Sequence, residues 1–191
     1  MCCYGNPLTA LPTQEEWLWG WDSTPGIVSV WAEPSGHASV WRRTGPELAL
    51  VHERARYRPW LLLASLTDLK HLGAGLQPEA APASDGAAEP DTKVRYRELE
   101  GSGELRFLVS AENSRVLSSA VLKGASRRLS RELRSLRELP AEEVLSLAPD
   151  EQYLIASGRS YFRGLAFDDL RRLSFDLETT GLDPDRDRIF L

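Results

Sequence analysis

Apolar and polar positions alternate in short bursts through the first third of the chain, and a spacing of four takes over near residue 115. Ile27-Val28-Ser29-Val30-Trp31 predicts a strand, Pro34-Ser35-Gly36 a turn, and Ala38-Ser39-Val40-Trp41 a second strand. Gly45-Pro46 marks another turn, and a third run from Leu48 to Arg58 leads into Pro59-Trp60-Leu61-Leu62-Leu63-Ala64. Three strands joined by short turns predict an antiparallel meander. Thr67 is placed to cap a short helix over Asp68 to Leu72, ended by Gly73.

Residues 74 to 92 lose periodicity and are mostly Ala, Pro, Gly, Ser and acidic residues, which predicts a low-complexity loop. Val94 to Leu99 and Leu105 to Val109 then predict a hairpin around Gly101-Ser102-Gly103. Asn113 or Ser114 can cap a helix from Arg115 to about Arg137, with Leu117, Val121, Ala125, Leu129 and Leu133 along one stripe. Gly124 weakens that helix and Pro140 ends it. A shorter helix is predicted over Asp150 to Ala156, a strand from Leu170 to Glu178, and the start of another at Ile189-Phe190-Leu191. Near the start, Trp17, Trp19 and Trp21 alternate, so on a strand they share one face. A core role is favoured there over ligand stacking, because aromatics dominate cores. The elements predict one α+β unit, with a second unit beginning near residue 170.

Composition narrows this only a little. The chain has 191 residues, of which 42% are hydrophobic and 27% charged, enough apolar material for a core. No apolar run approaches the roughly 20 residues that span a bilayer, and Met1 to Gly5 carries neither a basic region nor an apolar core. Cys2 and Cys3 are adjacent and offer no disulfide framework. A cytoplasmic location and no membrane partner are expected. The net charge of −5 argues against indiscriminate nucleic-acid binding, yet leaves room for a local basic patch.

The strongest chemical signal is Ser174-Phe175-Asp176-Leu177-Glu178-Thr179-Thr180-Gly181. On a strand of period two, Asp176 and Glu178 point to the same face. Two adjacent carboxylates repel each other unless a cation neutralises them, and Mg²⁺ or Mn²⁺ suits such hard oxygen donors. Elsewhere, Lys123, Arg127, Arg131 and Arg134 fall on one face of the long predicted helix and could meet phosphates, although a solvated outer face is favoured. Asp183, Asp185 and Asp187 lack the glycine of a calcium loop, since Arg188 stands at its sixth position. Gly101-Ser102-Gly103 lacks the third glycine and the helix of a dinucleotide fingerprint. His37, His52 and His71 have no metal-ligand spacing.

Phe175-Asp176-Leu177-Glu178-Thr179-Thr180-Gly181 resembles the first motif of the DEDD-type 3′–5′ exonucleases, which have a ribonuclease-H-like fold. Glu151 to Gly158, followed by Leu170 to Asp176, is similar to the approach to the exonuclease domain of family B DNA polymerases. Arg58-Pro59-Trp60-Leu61-Leu62-Leu63 resembles a strand of their N-terminal domain, and Lys93 to Val109 with the following helix resembles that domain's order of elements. The resemblance implies a polymerase-type N-terminal domain over residues 1–169 and the start of an exonuclease domain over 170–191. It implies Asp176 and Glu178 as catalytic ligands of a two-metal site of Mg²⁺ or Mn²⁺, incomplete in this chain, and Thr179 beside the primer end. Its implied partners are DNA, as a primer 3′ end and a template single strand, with metal-assisted phosphodiester hydrolysis as the chemistry. The second and third exonuclease motifs and all polymerase motifs are absent from the sequence, so a C-terminally truncated, inactive fragment is expected. The alternatives are a stand-alone ribonuclease-H-like 3′–5′ nuclease or, for this stretch alone, a non-catalytic nucleic-acid-binding module.

Overall fold

The predicted meander forms. In the computed structural model, which describes residues 20–79 and 94–170 and the backbone of 178–179 and 189–190, β1 (Ile27–Ala32), β2 (His37–Thr44) and β3 (Ala49–Arg56) make an antiparallel sheet in that order. A register shift between Ile27 and Ser29 lets both Ile27 and Val30 turn inward despite their odd spacing. With Ala32, Ala38 and Val40 they build a small core closed by Tyr153.

The second sheet has five strands. β4 (Trp60–Leu63), β5 (Leu76–Pro78), β6 (Val94–Glu98), β7 (Phe107–Ser110) and β8 (Val144–Leu145) take the order β5-β6-β7-β4-β8. Only the β5–β6 pair is parallel. Helix α1 (Ser114–Leu129) and the 3₁₀ segment Thr67–Gly75 cover one face, where Leu61, Leu63, Val109, Leu117 and Val121 meet in the larger core. Asn113 caps α1 by accepting from the Val116 N–H at 2.9 Å. Gly124 sits where α1 crosses the 3₁₀ segment, and a Cβ there would overlap the Asp68 carbonyl oxygen. The glycine that weakens the helix is what allows the close approach. Arg128 then pins the crossing, donating to Asp68 at 2.9 Å and to Glu143 at 2.5 Å.

Helix α2 (Pro149–Ser157) links the small core to the five-stranded sheet. Tyr153 enters the small core, while the neighbouring Gln152 accepts from the Trp60 N–H at 2.8 Å. The Trp60 indole N–H returns to the Gln152 carbonyl at 3.0 Å. The fold class is thus α+β, with antiparallel and mixed sheets and few helices. No helix among the described residues is long and apolar enough to cross a membrane.

Three expectations need correction. The long helix stops at Leu129 rather than near Arg137, because Ser130 turns left-handed (φ 51°) and the Arg131 N–H closes back on the Ser126 carbonyl at 3.2 Å. Leu133 still reaches the core, brought there by the turn and held by a bond from its N–H to Ser126 Oγ at 3.0 Å. Thr67 does not cap a helix; Leu66 precedes a 3₁₀ segment without a side-chain cap. The stretch expected as loop from residue 74 starts with the end of the 3₁₀ segment and β5, while residues 80–92 lie outside the described residues.

Candidate functional site

The carboxylate motif is described only in part. Asp176 lies outside the described residues, as do 171–175 and 177 of the strand expected from Leu170. Glu178 and Thr179 form β9 (Glu178–Thr179), which pairs antiparallel with β10 (Ile189–Phe190), setting Glu178 opposite Phe190 and Thr179 opposite Ile189. Among the described residues this pair is a sheet of its own, separate from both sheets upstream. Among the described residues, no group of three or more His, Cys, Asp or Glu side chains is arranged to hold a metal ion.

The row of four cations is broken by the early end of α1. Lys123 and Arg127 remain exposed on the helix four positions apart, but Arg131 and Arg134 fall beyond Ser130. Both are drawn to Glu138: Arg131 lies 3.8 Å from its carboxylate, and the Arg134 N–H donates to it at 2.8 Å. Backbone N–H bonds from Arg134 and Ser135 hold the Glu138 carboxyl below its usual range, so it stays ionised beside these cations. The structure therefore splits this set, leaving two of the expected phosphate contacts next to a local anion.

A second arrangement lies on the opposite face of the five-stranded sheet. Cross-strand partners share a face, so Trp60 opposite Ser110, and Leu108 opposite Arg97, point away from α1. Their floor is walled by α2 and by the connection from β3 to β4, enclosing an open cavity of about 590 Å³. Among the described residues, Arg56, Arg58, Arg97 and Glu79 line it, and Trp21, Tyr57, Trp60 and Tyr153 supply aromatic surface. Glu79 approaches Arg97 to 3.9 Å, with both side chains partly in water, so the pair adds little to stability.

Trp21 contradicts its expected core role, since it is 73% exposed and lies on no strand. Its indole ring rests against Gly158, where φ is +66° and an added Cβ would collide with the ring. The backbone beside it is clasped: Asp22 N–H donates to the Gly158 carbonyl at 3.0 Å, and Arg163 donates to the Asp22 carbonyl at 2.9 Å. The Asp22 side chain lies 3.3 Å from Arg159. Burial pushes the Asp22 carboxyl up, but bonds from Thr24 and Arg159 outweigh it and hold the group below its usual range. Trp17 and Trp19 lie outside the described residues.

Tyr57 stands at the cavity wall, donates its hydroxyl to the Glu33 carbonyl at 2.9 Å and meets Tyr153 edge-on with ring centres 6.0 Å apart. Burial, helped by the negative charge of Asp150, pushes its phenol up to about 12. Sequence reasoning missed this groove, although a signal was present. Cations flank an aromatic in Arg56-Tyr57-Arg58 and again in Arg95-Tyr96-Arg97, and basic residues interleaved with aromatics are the composition of strand-binding surfaces. No family model, curated protein or solved structure matches this chain.

Proposed function

We propose that this chain is the front of a family B DNA polymerase with a proofreading 3′–5′ exonuclease, whose first carboxylate motif is Asp176 and Glu178. The observation that supports the reading is the β9–β10 pair, which sets Glu178 of the motif opposite Phe190 in an antiparallel ladder and, among the described residues, shares no strand with the two sheets before it. The order of β4, the β6–β7 hairpin, α1 and the short α2 ahead of the motif agrees with the same resemblance.

Two carboxylates are the right donors for Mg²⁺ or Mn²⁺ but too few to hold two ions, which need further ligands to form a full shell. When bound, such ions activate a water and neutralise charge building on the phosphate. On this reading Asp176 and Glu178 anchor one side of the ion site, and Thr179 lies beside the primer end.

The test is release of nucleotides from the 3′ end of a labelled single-stranded oligonucleotide with Mg²⁺ or Mn²⁺. Residues 1–191 alone are expected to show negligible release, and the complete gene product to show release that Asp176→Ala with Glu178→Ala abolishes. Activity of residues 1–191 that this variant removes would overturn the incomplete shell. A complete product without release, or without polymerase carboxylate motifs downstream, would overturn the family reading.

A further inference from the structure

The three-stranded sheet turns one face away from the small core and ends at β3 on one side. Its register groups Trp31 with Arg54 through Ser39, sets Trp41 opposite His52, and brings Leu50 and Arg56 to the same outer face. Trp31 is 64% exposed and Leu50 57%, and the Trp41 and His52 rings stack with centres 4.8 Å apart. No position of the three strands on this face is acidic, although the chain carries a net charge of −5. The only acid in the strands, Glu53, lies on the other face, where Arg42 and Arg159 engage it. Arg54 and Arg56 are exposed and make no ion pair among the described residues.

The two edges of the sheet differ. Beside β1 the chain returns: the Phe162 N–H donates to the Ile27 carbonyl at 2.8 Å, and the Gly26 N–H to the Arg163 carbonyl at 2.8 Å. Past the end of β3, the Tyr57 N–H donates to the Gly36 carbonyl at 2.9 Å, which fixes the phase of the ladder. Antiparallel bonding then gives Val51, Glu53 and Ala55 to β2 and turns the N–H and carbonyl groups of Leu50, His52, Arg54 and Arg56 outward. Among the described residues, no backbone group bonds to them there. We propose that this edge takes an acidic segment of a partner protein as a fourth strand, with alternate carboxylates beside Arg54 and Arg56 and an apolar side chain beside Leu50. A second copy of the chain fits poorly. Two-fold pairing of β3 with itself about Glu53 or Arg54 sets like charges opposite each other, and pairing about His52 leaves both arginines without a carboxylate. A phosphate backbone only accepts hydrogen bonds and would leave the outward carbonyls unpaired, whereas a peptide supplies donor and acceptor in turn.

This surface is independent of the nuclease reading, since no residue of the carboxylate motif takes part. The experiment is fluorescence anisotropy of a short, labelled, end-capped peptide of alternating glutamate and valine, titrated with the intact chain in EDTA, where metal-dependent hydrolysis is silent. Saturable binding with a Kd below about 1 mM is expected, and none for a peptide of alternating lysine and valine. Arg54→Glu with Arg56→Glu is expected to weaken binding by about tenfold or more. N-methylation of alternate amides of the peptide separates an added strand from a loose ionic contact and leaves the protein untouched. A strand presents every second amide to its neighbour, so methylation in one frame should abolish binding and in the other should spare it. Urea midpoints check that the arginine variant is folded, which is expected because both side chains are exposed. Absence of binding by the glutamate peptide would overturn the proposal. So would equal affinity of the two methylated frames, or an equal loss in Lys123→Glu with Arg127→Glu. Tighter binding of an oligothymidylate, lost in the same arginine variant, would reassign the face to nucleic acid and overturn it as well. Concentration-dependent dimerisation in sedimentation, removed by that variant, would hand the edge to a second copy with the same result.

Discussion

Replacing Gln152 by alanine should unfasten α2 from β4, and the cost can be worked from the contacts. β8 pairs only with Leu62 and Leu63, so the first residue of β4, Trp60, has no strand neighbour on that side. The Gln152 side chain fills the gap, accepting from the Trp60 N–H at 2.8 Å while its own amide donates to the Leu147 carbonyl at 2.8 Å. Gln152 is 4% exposed and Trp60 7%, so water has little access to the N–H once the acceptor is gone. An orphaned buried donor costs about 1–3 kcal/mol. Leu147 is only half-buried, so the loss of this second bond adds little. A loss of about 2–3 kcal/mol is expected, and with a urea slope of about 2 kcal/mol/M the midpoint falls by about 1–1.5 M. Gln152→Met keeps most of the volume without an acceptor, so it should fall nearly as far as alanine. Gln152→Glu keeps the acceptor but buries a charge, and should regain stability as acid protonates it. Methionine and alanine variants that each shift the midpoint by less than about 0.3 M would refute the reasoning, because the Trp60 N–H would then have found another partner.

Gly124→Ala should destabilise although alanine is the better helix former by about 1 kcal/mol. The new methyl overlaps the Asp68 carbonyl, so α1 must lift off the 3₁₀ segment, and a net loss of about 2 kcal/mol in urea unfolding is expected, with a stabilised variant counting against the close crossing. Tyr57 should ionise near pH 12 rather than 10.0. Its folded form holds its proton longer than the unfolded chain, so the contribution is level below pH 10 and stability falls as pH rises from there towards 12. Ultraviolet titration of the phenolates should lose its latest step in Tyr57→Phe, and an unchanged curve would contradict the burial argument.

What was legible in the sequence followed from local chemistry. Pro34-Ser35-Gly36 announces the β1–β2 turn, and Asn113 announces the start of α1 with a side chain that can take only a few roles there. The end of α1 was hidden for a physical reason. Ser130 adopts the left-handed turn without being glycine, and Leu133 keeps the spacing of four because the turn, rather than another helical repeat, returns it to the core. β5 escaped notice because Leu76-Gln77-Pro78 is short and borders a stretch without periodicity. Trp21 misled through its alternation with Trp17 and Trp19, since spacing reports a shared face only if a strand exists. The groove was invisible for a different reason. Its walls come from segments as far apart as Trp21 and Ser157, and only the pairing of β4 with β7 and the clasp of α2 bring them together.

The parallel pairing of β5 with β6 places a topological demand on the residues between them. Antiparallel neighbours can be joined by two residues, but a parallel pair requires the chain to travel back along the sheet before the second strand begins. Here the return runs from Glu79 to Lys93, between Pro78 and Val94. The length of this connection therefore has a floor set by that journey. Above the floor the entropy of closing the loop rises only logarithmically, by about 0.6 kcal/mol for each doubling. Topology alone thus tolerates a longer connection between these two adjacent strands, whereas deletion past the floor would cost the sheet its outermost strand.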